Sequence, residues 1–362
     1  MVETGNQFKE ERTTHERWMQ RQGIPIYREF SIPSLKELEV GPWERLEARG
    51  AYVVLEGAED SNDAYVLEIP PGGSVAPEKH IYEEVVYVLS GRGATTVWQG
   101  EGPKVTFEWH EGSFFAVPLN AWHRFFNGQN NEPARFYVVS SAPLVMNLYH
   151  NLDFVFNIDY AFKDRFEPKG NYFSSEGLEL PGRVWETNFI EDIRTLPLIA
   201  WAERGAGGAN RRFQLAEGTL VAHLSQFPMG TYKKGHRHGS GAHVIIVRGH
   251  GYSLLWKDGQ QANPVRVDWK EGSVLVPPDM WWHQHFNTSG EPAMYLAVRW
   301  GSIKYPLFKA WILSGKTDTS SRMGGNQIEY EDEAPSIRQL FEQELRKNNV
   351  ACKMAPIHYT VV

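Results

Sequence analysis

Residues 271–287 read Glu271-Gly-Ser-Val-Leu-Val-Pro-Pro-Asp-Met-Trp-Trp-His283-Gln-His285-Phe-Asn287, and residues 111–127 read Glu111-Gly-Ser-Phe-Phe-Ala-Val-Pro-Leu-Asn-Ala-Trp-His123-Arg-Phe-Phe-Asn127. A second similar pair precedes them, Ile69-Pro-Pro-Gly-Gly-Ser-Val-Ala-Pro-Glu-Lys-His80 and Phe227-Pro-Met-Gly-Thr-Tyr-Lys-Lys-Gly-His-Arg-His238. The offset between matching residues stays between 158 and 160. A register this steady indicates that the chain contains one structural unit twice.

Both halves of the chain are rich in short runs of β-branched and aromatic residues bounded by glycine and proline. Such runs predict strands at 52–55, 64–69, 85–89, 94–98 and 136–140, and again at 218–227, 243–247, 252–256, 273–276 and 293–300. Many short strands in each half predict an all-β fold of two small barrels or sandwiches. Helices are expected outside them, at 10–22 and 335–347. The loop-like stretch 166–188 separates residues 1–175, an N-terminal arm and first unit, from residues 176–362, a second unit and C-terminal helix.

Composition and charge exclude several classes of function. The 362 residues carry a formal net charge of −7, which argues against a nucleic-acid partner. Cys352 is the single cysteine, so an intramolecular disulfide is impossible and a reducing compartment is expected. The first 24 residues are polar, and no run of 18 apolar residues occurs, so neither a secretory signal nor a membrane span is expected. The sequence therefore predicts a cytoplasmic protein.

Three histidines in the repeated segments predict a metal centre in the second half. His236 and His238 stand at i and i+2, so on an extended chain their side chains share one face. His283 would arrive from a distant strand and complete a set of three nitrogen ligands with open coordination positions. His285, at i+2 from His283, would face the same pocket, either as an acid or base in catalysis or as a partner of the backbone.

These paired segments resemble the two motifs of the cupin superfamily, and because they occur in both halves the chain resembles a bicupin. The resemblance implies two tandem double-stranded β-helix (jelly-roll) barrels with peripheral helices. In most metal cupins a glutamate supplies a fourth ligand at the position of Ala242. The run His236-Arg-His238-Gly-Ser-Gly-Ala242, with residues 282–287, is similar to the gentisate and salicylate 1,2-dioxygenases, which hold Fe(II) with three histidines and insert both atoms of O2 into an aromatic ring.

That resemblance implies a non-haem Fe(II) dioxygenase that cleaves a C–C bond of a hydroxylated aromatic acid or a related enol or diketone. Its ligands here would be His236, His238 and His283; Mn, Ni, Cu or Zn could also occupy such a site. The family places a carboxylate-binding arginine where this chain has Val244, so gentisate itself is not assigned. Arg299, on the last strand, is a candidate replacement. Trp281 is a candidate wall for the substrate pocket, and a homodimer or homotetramer is expected by analogy.

The residues leave two other functions open. Three imidazoles and a divalent ion could stabilise an enolate, as in a redox-neutral lyase, decarboxylase or isomerase acting on a small anion. The chain could also be a non-enzymatic bicupin that binds a small molecule.

The first half offers Glu78, His80, Glu84 and His123 at the matching positions. Two histidines and two carboxylates could hold a second metal ion. We expect instead a degenerate, structural site in which Lys79 pairs with Glu78.

Overall fold

The computed structural model describes residues 11–58, 61–168, 170–239, 241–307 and 317–360. Its α-helices within these ranges are α1 (Thr14–Arg21), α2 (Ala142–Tyr149), α3 (Leu152–Asn157) and α4 (Pro335–Lys347). Short 3-10 helices occur at Glu44–Leu46, Ile193–Thr195, Ala202–Arg204, Ser321–Met323 and Tyr330–Asp332. The expected helix at 335–347 is confirmed, and the described part of the N-terminal arm forms α1, capped by Thr13 and Glu16 in a reciprocal capping box.

The first unit consists of a large and a small sheet. Its strands are β1 (Ile26–Tyr27), β3 (Gly41–Trp43), β4 (Ala48–Val53), β5 (Asp63–Ile69), β6 (Glu84–Ser90), β7 (Arg92–Trp98), β8 (Val105–His110), β9 (Phe114–Val117), β10 (Trp122–Asn127) and β11 (Ala134–Ser140). The large sheet runs β1-β4-β5-β11-β6-β9, with β3 beside β4, and the small sheet runs β10-β7-β8. Side chains from both sheets form one apolar cluster between them.

The second unit repeats this arrangement. Its strands are β12 (Leu178–Leu180), β13 (Val184–Glu186), β15 (Ile199–Ala200), β16 (Ala209–Gln214), β17 (Leu220–Phe227), β18 (His243–Arg248), β19 (His250–Trp256), β20 (Val265–Lys270), β21 (Val274–Leu275), β22 (Trp282–Asn287) and β23 (Ala293–Trp300). The large sheet runs β12-β13-β16-β17-β23-β18-β21, with β15 beside β16, and the small sheet runs β20-β19-β22. The predicted all-β fold of two tandem jelly-roll units is confirmed.

The large sheets of the two units pack against each other, and strand alternation decides which side chains enter which core. On β11, Phe136 and Val138 point into the first unit, whereas Tyr137 and Val139 join the cluster shared by both units. On β18, Val244 and neighbouring alternate residues point into the second unit. A side chain on a large sheet therefore faces either its own unit's interior or the interface between units.

Each unit lends the other a short edge strand. β2 (Ser31–Ile32) pairs with β21 of the second unit, and β14 (Phe189–Ile190) pairs with β9 of the first. The division at residues 175 and 176 stays a prediction, because hydrogen-bonded strands cross it in both directions. α4 covers the outer face of the second small sheet, where Ile337 and Phe341 are buried against aromatic side chains of β19 and β22. No helix of the described ranges is long and apolar enough to cross a membrane.

Candidate metal centre

The backbone brings His236 and His283 side by side. His236 follows β17, and its amide N–H donates to the carbonyl of His283 at 3.0 Å, while the amide of His283 donates back at 2.8 Å. The His236 ring lies 4.2 Å from that of His283, and the His238 ring lies 4.7 Å from it, centroid to centroid. One nitrogen from each of the three rings lies within 4.8 Å of the others. The three histidines expected from the motif are thus brought together.

Hydrogen bonds set the same tautomer in all three rings. Nδ1 of His236 lies 3.2 Å from the carbonyl oxygen of Lys234, Nδ1 of His238 lies 3.3 Å from that of Gly239, and Nδ1 of His283 lies 3.0 Å from that of Trp281. A carbonyl oxygen only accepts, so each Nδ1 carries the proton and each Nε2 keeps its lone pair. A neutral imidazole held by a backbone carbonyl in this way is ready to bind a metal ion through Nε2.

Burial keeps these imidazoles neutral. Loss of solvation lowers the pKa of His236 and His238 well below the usual value, and the positive charge of Arg204 lowers each further. Burial lowers the pKa of His283 to about 4. Three neutral nitrogen donors around one point, with no carboxylate among them, fit a divalent ion that retains its full charge toward a ligand.

His285 lies beside this group but has the other tautomer. Its Nδ1 lies 2.7 Å from the hydroxyl of Ser253, and that hydroxyl accepts the indole N–H of Trp269 at 3.0 Å. Among the described residues, Nδ1 of His285 is the acceptor bonded to this hydroxyl, so we assign the serine proton to that bond and the ring proton of His285 to Nε2. His285 lines the cavity described below. It can donate a hydrogen bond to a substrate but, as a neutral ring in this tautomer, has no free Nε2 for a metal.

Two residues at the start of β18, Ala242 just before the strand and Val244 on it, complete the surroundings of the triad. Ala242 and Val244 are buried and line the cavity. His243, between them, points the opposite way, and its Nδ1 lies 2.8 Å from the hydroxyl of Tyr137 in the interface between the units. Strand alternation thus removes His243 from the metal centre.

The triad opens into a cavity of about 330 Å³. Four guanidinium groups line it, from Arg183, Arg204, Arg212 and Arg299, and Asp318 is the one carboxylate among the described lining residues. This places Arg299 in the cavity, as expected from the sequence; the other three arginines were not anticipated.

The positive charges of the cavity arginines repel one another. Burial, and next the charges of Arg212 and Arg204, lower the pKa of Arg299 to about 10. Arg204 is 2% exposed and pairs with Asp318 at 2.8 Å through one nitrogen, but its Nε and Nη1 have no hydrogen-bond partner among the described residues. Buried guanidinium groups without acceptors favour an anion that would satisfy them.

Comparison of the two units shows that the arginines belong to the second unit alone. Strand pairing and backbone hydrogen bonds align Arg204 with Leu46, Arg212 with Tyr52 and Arg299 with Ser140. His223, another lining residue, aligns with Tyr65. Some positions of the repeat hold an apolar or neutral residue in the first unit and a basic residue in the second. A search for such positions would have identified most of these cavity residues from the sequence.

Trp281 does not line the cavity, so its expected role as a substrate wall is not supported. The chain turns just before it, at Met280 with φ of 56°, and the alternation of β22 does not extend back to Trp281. The indole packs near Phe30 at 6.4 Å and under the ammonium of Lys257 at 4.9 Å. Aromatic walls come instead from Trp201 and Trp300.

In the first unit, the four polar residues at the positions of the metal centre are arranged differently from those of the second unit. Glu78, His80 and His123 bring ligand atoms within 4.8 Å of one another, and Glu84 lies 3.3 Å from Nε2 of His80. The cluster already contains a cation, because the guanidinium of Arg45 donates to Glu78.

The expected pairing of Glu78 with Lys79 is wrong. Lys79 donates to the carbonyl of Ile158 at 2.9 Å and lies over the ring of Trp122. Burial raises the pKa of Glu78, but Arg45 and the two histidines lower it more, so the net shift is downward.

Comparisons with known proteins agree with the fold. Residues 65–140 match the cupin domain family. A search of the curated proteins found no match. Among solved structures, a variant of the Bacillus subtilis oxalate decarboxylase is 13% identical with a TM-score of 0.50, covering 82% of this chain and 86% of that one.

Two further structures of oxalate decarboxylase give the same result. One, determined for the substrate binding mode, is 14% identical with a TM-score of 0.50 and covers 86% of each chain. The other, from Bacillus subtilis and concerned with Mn(II) centres, is 14% identical with a TM-score of 0.50, covering 82% of this chain and 86% of that one. At these identities the likeness concerns the fold, and the resemblance to the gentisate and salicylate dioxygenases stays a prediction.

Proposed function

We propose that this protein is a metal-dependent enzyme that acts on a small, multiply charged carboxylate without consuming O2, as a decarboxylase, lyase or isomerase. One observation carries the proposal: three imidazoles with free Nε2 atoms open into a cavity whose described lining has four guanidinium groups and a single carboxylate. A metal centre and an excess of positive charge in one cavity favour an anionic substrate that reaches both.

The number of arginines argues for more than one negative charge on the substrate. A hydroxybenzoate carries one carboxylate, which would leave most of the guanidinium charge of the cavity uncompensated. Uncompensated buried charge is costly, and each arginine can bind a carboxylate through two parallel hydrogen bonds. A compact dicarboxylate or tricarboxylate would satisfy this cavity better than an aromatic monoacid.

The side chains of the cavity have distinct tasks in such a reaction. A divalent ion held by His236, His238 and His283 would act as a Lewis acid toward a substrate oxygen. Arg299 and Arg212 would bind and orient the carboxylates. His285 would donate its Nε2 proton in a hydrogen bond to the substrate.

The solved structures of similar fold support the same reaction class. They are described as oxalate decarboxylase, and one concerns its Mn(II) centres. Oxalate is a small dicarboxylate, which is the kind of anion that the arginines favour. For this chain we propose the class of reaction and the charge of the substrate, and Mn(II) beside Fe(II) as the ion to test first.

An Fe(II) dioxygenase is a second candidate, favoured by Ala242. This buried alanine occupies the position held by Glu84 in the first unit, so the ligand set is three nitrogens with no carboxylate. Such a set leaves a face of the ion open for both a chelating substrate and O2.

Turnover in the presence and absence of O2 tests the proposal. Protein loaded with Mn(II) or Fe(II) would be assayed against small dicarboxylates, tricarboxylates and hydroxybenzoates, with CO2 release, substrate loss and O2 uptake measured. We expect anaerobic turnover of a di- or tricarboxylate, lost in His238→Ala and kept in the matched control His243→Phe, whose ring faces the interface. Stoichiometric O2 uptake with hydroxybenzoates alone would establish the dioxygenase instead.

A further inference from the structure

A buried lysine, Lys233, lies behind the wall of the cavity. Its side chain is fully buried, and its ammonium donates to the hydroxyl of Ser225 and, at 3.0 Å, to the hydroxyl of Tyr295. It also lies over the rings of Tyr295, at 4.5 Å, and Phe227, at 5.1 Å. Within the described ranges no carboxylate forms an ion pair with Lys233, so the phenol of Tyr295 is the acidic group bonded to it.

Tyr295 links this lysine to the cavity. It stands on β23, lines the cavity, and its ring lies 5.3 Å from that of His285. An ammonium has only donors, so the phenol oxygen accepts from Lys233 and its own proton remains available to another acceptor. Burial raises the pKa of Tyr295, but the charge of Lys233 and the hydrogen bonds from Lys233 and Ser225 lower it more, so the net shift is downward.

The first unit shows that the fold does not need the polar side chains of Ser225, Lys233 and Tyr295. Sequence offsets of 158 and 159 align Ser225 with Leu67, Lys233 with Val75 and Tyr295 with Phe136, and each counterpart is a buried apolar residue. At an offset of 160, Phe125 likewise stands where the second unit has His285. The same backbone positions therefore pack well with apolar side chains, and the polar set accompanies the metal centre and arginines of the second unit.

We propose that Tyr295 is the proton donor of the reaction and that Lys233 is the residue that positions it and stabilises its phenolate. This inference rests on the proposed redox-neutral function. In a decarboxylation, the C–C bond to the departing carboxylate breaks and CO2 leaves with its two oxygens. The electron pair of that bond stays on the adjacent carbon, which takes the phenol proton of Tyr295. The phenolate is paired with the ammonium of Lys233 and regains a proton from water.

The charged groups around Tyr295 favour the phenolate. Lys233 follows β17, and Arg204 approaches from the 3-10 helix Ala202–Arg204; both are cations that lower the pKa of the phenol. His223 of β17 and His285 of β22 face the ring as aromatic neighbours. The charges of Lys233 and Arg204 that lower the pKa of the phenol are both positive. Asp318, the carboxylate among the described lining residues, is paired with Arg204 at 2.8 Å.

A titration of metal-free protein tests the pair without any substrate. Ultraviolet difference spectra against pH would compare the wild-type protein with Tyr295→Phe and Lys233→Met. The matched control is Tyr252→Phe, another buried tyrosine of the second unit, whose hydroxyl has no partner among the described residues and whose pKa burial raises. We expect Tyr295→Phe to remove one phenol that ionises below the usual pKa of about 10, Lys233→Met to move that ionisation upward, and Tyr252→Phe to leave it in place.

Kinetics on the metal-loaded enzyme provide the second part of the test. Tyr295→Phe should lower kcat by roughly 100- to 10,000-fold, the usual contribution of a general acid, with metal content and KM little changed. Lys233→Met should shift the pH profile of kcat upward, and Lys233→Arg should restore much of the rate.

A phenol of ordinary or raised pKa in the difference titration, or full kcat in Tyr295→Phe, would overturn the inference. Absence of anaerobic turnover in the wild-type protein would instead count against the proposed function, while the titration would still report on the pair.

Discussion

Replacing Arg45 with methionine should destabilise the first unit strongly. The Arg45 guanidinium is the cation that neutralises Glu78, a buried carboxylate that also lies 3.8 Å from Nε2 of His123. Removing one partner of a buried ion pair leaves an uncompensated charge, which typically costs about 3–5 kcal/mol. The guanidinium also lies over the rings of Trp18 and Trp43, at 5.4 and 5.3 Å, so methionine keeps the apolar contact but loses the cation–π attraction.

The effect should depend on pH in a defined direction. In the wild-type protein the pKa of Glu78 is lowered, so its contribution to stability is present above the unfolded value near 4.3 and is lost as pH falls through the lower folded value. In Arg45→Met, burial would raise the pKa of Glu78 above the unfolded value. The variant then favours the protonated carboxyl, and its deficit relative to the wild-type protein should shrink as pH falls toward about 4.3.

Thermal and denaturant unfolding at several pH values would measure the deficit. A loss of about 3–5 kcal/mol corresponds to a fall in Tm of roughly 6–20 °C for a unit of this size. Arg49→Met is the matched control: Arg49 stands on the neighbouring strand β4, its side chain is 46% exposed, and its pairing with Glu68 should be worth no more than about 1 kcal/mol. Equal effects of the two substitutions, or a deficit at Arg45 that grows as pH falls, would contradict the assigned role of Arg45.

Three other variants test the metal centre, the cavity and the interface between the units one at a time. His238→Ala should reduce metal affinity by at least about 100-fold, a greater loss than that caused by removing a hydrogen-bond partner of a ligand, as measured by metal analysis after dialysis. Arg299→Gln should raise KM for an anionic substrate by roughly 10- to 100-fold, because a charge-assisted hydrogen bond is lost; unchanged KM would exclude Arg299 from substrate binding. Tyr137→Phe should lower stability by about 1–3 kcal/mol, because Nδ1 of His243 loses its buried partner, with metal content unaltered.

Much of the fold could be read from the sequence because the repeat and the strand pattern reinforce each other. The runs at 293–300 and 335–347 match β23 and α4 in full, since each has a sustained apolar period and clear breaking residues at its ends. The exchange of β2 and β14 between the units could not be read in the same way. Strands of two residues have no period, and their pairing depends on which edges of the large sheets are left open.

The metal ligands and Arg299 were readable from the sequence, because motif spacing and strand position indicate them. His236, His238 and Ala242 lie within seven positions, so their spacing alone indicates a shared face. Arg204 and Arg212 come from a 3-10 helix and a strand upstream, and neither has a local pattern that tells a cavity from a surface. Only the comparison with Leu46 and Tyr52 of the first unit distinguishes them. Trp281 lies outside the described lining because the turn at Met280 precedes it and the strand alternation that His283 and His285 follow begins at Trp282.

The duplication supplies an internal control for the polar residues that the second unit has and the first unit lacks. The first unit has the same two sheets, yet an arginine supplies the cation of its polar cluster, and leucine, tyrosine and serine stand where the second unit has arginines. Because the shared fold tolerates both sets, structural need does not account for Lys233, Tyr295, His285 or the cavity arginines. Buried charges and unpaired donors cost stability unless something compensates them. Their concentration around one set of three histidines is therefore best explained by a bound anion and the chemistry done on it.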